Sequence, residues 1–225
     1  MKHPSATLAV LLASAVSLGA QASRPQTPAR SPFDRGLKVE ITVPATVRST
    51  PVTGRVYFIV ARSGDREPRL QIGRTGTPFF GRDVANLAPG QAAIIDASDL
   101  GTPVASLKDL PPGDYVVQAF VNLYSEFRRA DGHAVWMHDD QWEGQHWNVS
   151  PGNLYSRPQT VRIDAATERI RLSTDQVIGP VAVPADTPFV KRLKIQSPLL
   201  TKFWGRPIYL GALSLIHISE PTRPY

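Results

Sequence analysis

The chain has 225 residues, no cysteine and a formal net charge of +6 at pH 7. Without cysteine there are no disulfides and no thiolate metal sites, so the fold rests on its own hydrophobic core, and the length suffices for one good domain. Basic and acidic residues are interspersed. No arginine-rich helix or basic–aromatic repeat of the kind that binds nucleic acid occurs.

Lys2 and His3 give a basic start, Leu8–Val16 is a mostly apolar run, and Ala20-Gln21-Ala22 is a small-x-small cleavage site. That order reads as a secretory signal peptide of bacterial length over residues 1–22, which implies a periplasmic or extracellular protein. The apolar run is too short to span a bilayer, which takes about 20 apolar residues. Residues 23–35 are rich in Ser, Pro, Arg and Gln and read as a flexible leader.

Strand signals follow. Leu37, Val39, Ile41 and Val43 alternate with Lys38, Glu40 and Thr42, the period of a half-buried strand. Gly54–Arg62 is apolar on both faces and predicts a central strand. Arg69–Gly73 predicts a short strand after the turn residues Ser63-Gly64-Asp65, and Gln91–Asp96 predicts another. Ala105–Leu110 predicts a single helical turn. After the turn Pro111-Pro112-Gly113-Asp114, Tyr115–Tyr124 is the strongest strand signal, with Tyr115, Val117, Ala119, Val121 and Leu123 on one face. Val161 and Ile163 flank Arg162, Ile170 and Leu172 flank Arg171, and Leu193 and Ile195 alternate with Arg192 and Lys194, each predicting a further strand.

No window sustains a helical period over three turns, and 21 prolines and 16 glycines punctuate the strands, so the chain reads as an all-β sandwich. Immunoglobulin-like sandwiches carry a tyrosine near the start of strand F, two residues before the second cysteine, whose hydroxyl locks the preceding corner. Tyr115 occupies that place and Val117 stands for the cysteine. The expected fold is therefore an immunoglobulin-like β-sandwich over residues 36–185 with a long aromatic loop.

That loop, Ser125–Pro158, is the unusual segment. It holds Trp136, Trp142, Trp147 and Tyr155 together with His133, His138, Asp139, Asp140, Glu143 and His146. Three readings compete. Imidazoles and carboxylates can hold zinc when three converge, but no H-x-x-x-H or H-E-x-x-H spacing exists, and no metal or other cofactor is expected. The indole faces of Trp136, Trp142 and Trp147 and the ring of Tyr155 could instead stack on sugar rings, with Gln141, Gln145 and Asn148 bonding hydroxyls. The third reading, the favoured one, is structural: a long loop stays ordered only with a small core of its own, and tryptophans supply that area while their N–H groups find loop carbonyls. Nucleophilic catalysis has no visible carrier. There is no Gly-x-Ser-x-Gly elbow, P-loop or dinucleotide-binding glycine pattern.

The final stretch, Leu213–Arg223, reads Leu-Ser-Leu-Ile-His-Ile-Ser-Glu-Pro-Thr-Arg. This matches the in-frame translation of a transposon-end sequencing adapter. Residues 213–225 are therefore expected to be foreign to the protein, and the natural frame is expected to run on past Ala212. Ser214 and His217 are not counted as candidate catalytic groups for that reason.

Two stretches, Asp140–Ser156 (DQWEGQHWNVSPGNLYS) and Val190–Gly211 (VKRLKIQSPLLTKFWGRPIYLG), together resemble the N-terminal region of secreted bacterial esterases, the enterochelin-esterase-like α/β-hydrolases. The resemblance covers most of Gly36–Gly211. It implies an immunoglobulin-like sandwich ahead of a hydrolase domain, with residues 186–212 as linker and first hydrolase strand, the strand beginning at Gly205–Gly211. It also implies Ser-His-Asp ester hydrolysis for the parent protein, by residues that would all lie beyond Ala212. Two function classes remain open: an accessory domain partnered by its own downstream hydrolase domain, or a free-standing exported sandwich that binds a ligand or carbohydrate through its tryptophan-rich loop.

Overall fold

The computed structural model describes residues 36–141 and 145–215. The expected signal peptide, the leader, Trp142, Glu143, Gly144 and the segment after Leu215 lie outside the described residues.

The chain is mostly β. In order, its elements are β1 (Lys38–Thr42), β2 (Val52–Ala61), β3 (Phe79–Leu87), β4 (Ala92–Ile95), β5 (Gly101–Thr102), β6 (Gly113–Arg128), β7 (Ala134–His138), β8 (Leu154–Tyr155), β9 (Gln159–Ile163), β10 (Arg169–Ser173), β11 (Gln176–Val177), β12 (Val190–Gln196), α1 (Pro198–Trp204) and β13 (Tyr209–Leu215). Among the described residues they form three sheets. The small one has the order β10-β1-β4, with β1 parallel to β10 and antiparallel to β4. The large one runs β11-β8-β6-β2-β3-β5, with β9, β8 and β7 pairing successive stretches of the long strand β6. The third is the hairpin β12-β13.

The first two sheets pack face to face as a sandwich. Val56, Phe58, Val60, Val117, Ala119 and Val121 meet Val39, Ile41, Ile95, Ile170 and Leu172 in one core. The period-two pattern of Leu37–Val43 lands as expected, with every apolar member buried. Gly54–Arg62 is apolar on both faces because β2 is covered twice. Its alternate residues Tyr57 and Ile59 join Phe120 in a second apolar cluster on the outer face, roofed by Phe79, Trp147, Tyr155 and Ile178. The Tyr115 hydroxyl donates to the Pro111 carbonyl, the corner bond the sequence suggests, and Val117 is fully buried two residues on.

Three segments differ from expectation. Arg69–Gly73 is no strand: Pro68–Leu70 forms a 3-10 turn. Pro68 brings no N–H for a ladder, and the Arg69 N–H bonds the buried Gln118 Oε1 at 2.9 Å instead of a neighbouring strand. Strand β3 carries no alternation in sequence, since Gly81, Arg82 and Asp83 interrupt it. It is held by pairing with β2 and by the Arg55–Asp83 and Arg82–Asp99 ion pairs, 2.9 and 2.8 Å. The Ser125–Pro158 segment is not wholly a loop either. β6 continues to Arg128 and turns back as β7, with Phe127 buried and Glu126 exposed.

The third sheet brackets the helix that sequence periodicity was too short to reveal. Ser197 caps α1 by accepting from the Leu200 N–H at 3.3 Å, and Pro198 opens it. Gly205 ends it at φ +64°, a left-handed conformation that favours glycine. The helix end docks on the β6–β7 hairpin: Trp204 meets Phe127 edge-on with centroids 5.7 Å apart, and the Ala130 N–H bonds the Phe203 carbonyl at 2.7 Å.

Candidate functional site

The outer face of the large sheet positions every aromatic side chain singled out by the sequence that the structure describes, and it separates them. Cross-strand register puts Tyr57 beside Phe120, Arg55 beside Asn122, and Phe120 beside Tyr155. Over this end folds the segment after His138. Trp147 stacks on Tyr57 with centroids 4.3 Å apart and 18° between planes, and meets Phe120 edge-on at 5.3 Å. Tyr155 carries the Arg69 guanidinium 4.6 Å from its ring centroid. Burial pushes the Tyr57 hydroxyl up to about 12, against the opposing pull of Arg55. Trp147 and Tyr155 thus sit half-buried in a small core.

The same segment is pinned by a polar knot. The His138 Nδ1 lies 2.9 Å from Asn122 Oδ1, and its Nε2 lies 3.1 Å from Ser150 Oγ. Asn153 donates to Asn122 Oδ1 at 3.2 Å and to the Trp147 carbonyl at 2.7 Å, while its own Oδ1 accepts from the Leu123 N–H at 2.8 Å. Ser150, His138 and Asn122 therefore stand in the order of a nucleophile–base–orienter relay. The resemblance ends with access. Ser150 is fully buried, and its hydroxyl also lies 3.2 Å from the Gln145 and His146 carbonyls. A substrate carbonyl cannot reach it, and the arrangement ties loop to sheet. Arg69 and Asn148 add a reciprocal clamp, each donating to the other's carbonyl at 2.8 Å.

Trp136 lies elsewhere. It sits on β7 opposite Glu126, half-exposed, and lines an open cavity of about 330 Å³ with Thr53, Gly54, Asp83, Val84, Ala85, Asn86 and Tyr124. A bulge makes the cavity. Between the pairs Val52–Leu87 and Gly54–Val84, β3 spends one residue more than β2. Asn86 takes up the surplus at φ +53°, and its N–H bonds Thr53 Oγ1 at 3.1 Å. At Gly54 a Cβ would stand 2.1 Å from the Asn122 carbonyl oxygen, so only glycine lets β6 approach there. Burial and the charge of Asp83 push the Tyr124 hydroxyl upward from its ordinary value. Asp83 in turn holds Arg55.

Sequence reading named Trp136 but missed Thr53, Asp83, Asn86 and Tyr124. Among the described residues no group of three His, Asp or Glu side chains could hold a metal ion, and no helix is long and apolar enough to cross a membrane. No family profile, curated protein or solved structure matches the chain.

Proposed function

We propose that this chain is the non-catalytic N-terminal accessory domain of a secreted serine esterase, an immunoglobulin-like sandwich that precedes an α/β-hydrolase domain. One observation carries the reading: the β12–α1–β13 unit leaves a row of apolar side chains exposed to solvent. Register puts Leu193, Ile195, Leu210 and Ala212 on one face of the hairpin, all of them exposed. Leu199 of α1 is 82% exposed. Contiguous apolar surface of this kind marks a face that something covers. The natural continuation of the chain is the occupant we favour, because β13 begins where the esterase resemblance places the first hydrolase strand. On this reading Leu213–Arg223 is adapter-derived sequence standing where that continuation belongs, and Met1–Ala22 is removed on export.

Acyl transfer needs a nucleophile, a base within hydrogen-bond reach and an oxyanion hole. The esterase reading puts all three in the downstream domain. Recovering the gene beyond Ala212 is the test. A Gly-x-Ser-x-Gly elbow, then an acid, then a histidine should appear, in the chain order of α/β-hydrolases. The restored protein should hydrolyse p-nitrophenyl acetate, and the chain ending at Tyr225 should not. Turnover by that shorter chain would overturn the placement of chemistry downstream. A natural stop soon after Ala212, with no elbow, would hand the case to a free-standing exported sandwich that binds a ligand, a reading the exposed Trp136 cavity favours.

A further inference from the structure

We propose that the cavity at Trp136 is a binding subsite for a neutral saccharide. It involves no step of ester chemistry and holds whether or not a hydrolase domain follows.

The wall is an indole that stays half in solvent. Trp136 is 51% exposed, whereas Trp147 of the same region is committed to a core. A pyranose ring has an apolar C–H face that stacks on an aromatic plane and a girdle of hydroxyls that need both donors and acceptors. The cavity offers that combination. Tyr124 supplies a protonated hydroxyl, Asn86 an amide, Thr53 a hydroxyl and Asp83 a carboxylate, all on the lining. The floor is shaped by backbone. Gly54 bears no side chain where β6 closes in, and the bulge at Ala85-Asn86 widens the gap between β2 and β3. The volume, about 330 Å³, falls at the lower end of small-ligand sites, roughly 300–1,000 Å³.

Charge argues for a neutral ligand. Arg55, which pairs with Asp83 of the lining at 2.9 Å, is also held by the Gly81 carbonyl at 3.1 Å. Asp83 is the one charged residue of the lining, so an anionic ligand would meet a carboxylate with no cation of the lining to answer it. A bare apolar ligand would give the Tyr124 hydroxyl and the Asn86 amide of the lining no partner.

The test uses the purified chain, with cellohexaose, xylohexaose and hexa-N-acetylchitohexaose as neutral probes and polygalacturonate as the anionic comparison. At millimolar concentration at least one neutral probe should shift and quench the tryptophan emission. It should also move the amide resonances of Thr53, Asp83, Asn86 and Tyr124. Trp136→Ala should weaken that binding about tenfold or more, the factor that ~1.4 kcal/mol of lost stacking represents. Trp136→Tyr should restore most of it. Asn86→Gly keeps the left-handed backbone and removes the amide, so it should weaken binding without lowering the melting temperature. Binding of none of the three neutral probes would overturn the proposal. So would preference for polygalacturonate, resonance shifts confined to other surfaces, or binding that survives Trp136→Ala and Asn86→Gly. The resonance map needs no variant and decides the matter should a substitution disturb folding.

Discussion

Replacing Trp147 with alanine separates a structural loop from a ligand platform. The indole stacks on Tyr57 at 4.3 Å, meets Phe120 edge-on at 5.3 Å and lies 6.0 Å from Phe79. Truncating a buried large aromatic costs about 3–5 kcal/mol. Trp147 is half-buried, so the lower end, about 3 kcal/mol, applies. For a domain of this size each kcal/mol moves the melting temperature by roughly 2–4 °C, so a fall of about 6–12 °C is expected. Urea unfolding followed by circular dichroism should show the same loss at an unchanged m-value. Trp136→Ala supplies the contrast: an exposed site away from any core should stay within about 0.5 kcal/mol of the parent. Equal stability of the two variants would refute the division of the segment into a packed end and an open end. A Trp147→Ala chain that melts like the parent would refute the small core itself.

Gly54→Ala should cost roughly 3 kcal/mol or prevent folding, because the new methyl would stand 2.1 Å from a backbone oxygen that cannot step aside; soluble yield and melting temperature report it. Tyr115→Phe removes the hydroxyl that bonds the Pro111 carbonyl and should cost about 1 kcal/mol by urea unfolding. Asp96 is held below the ordinary carboxylate range, first by the Ser98 hydroxyl and then by the Ser98 N–H. A lowered folded-state pKa gives stability that is present above the unfolded value and lost as pH falls through the folded one. Ser98→Ala should therefore melt below the parent at pH 7, and the gap should narrow as pH drops below about 4; a gap that is constant with pH would refute the assignment.

The strands that announced themselves in sequence are those whose side chains obey one rule along their length. Lys38–Thr42 and Arg169–Ser173 have one face in the core and one in water, and alternation shows it. Val52–Ala61 showed as a central strand because both its faces are covered. Phe79–Leu87 stayed hidden because it obeys no single rule. Phe79 lies over the second cluster while Phe80 enters the main core, Asp83 sits in an ion pair, and Asn86 is spent on a bulge. Pairing partners hold such a strand, and partners are not written in its own residues. The short helix Pro198–Trp204 escaped for a related reason. Two turns cannot display a period, and its stability comes from its cap and its seat on Phe127 rather than from propensity.

The aromatic segment shows where sequence reading of a site must stop. Trp136 and Trp147 share a neighbourhood rich in Asp, Gln and His, and nothing local tells them apart. Their roles diverge because the long strand β6 offers two environments on one face. Near Phe120 it is flanked by Tyr57 and Tyr155, and a descending loop completes a core. Near Tyr124 the neighbouring strand bulges away, and the hairpin partner leaves an indole over open space. The boundary between the two is Asn122, which the His138–Ser150–Asn153 knot uses to nail the loop down. On the Tyr57 side of that knot the aromatic rings pack on one another, and on the Trp136 side the indole stays half exposed. A ligand platform needs aromatic area that folding has not consumed, and among the described residues of this face Trp136, beyond Asn122, offers it.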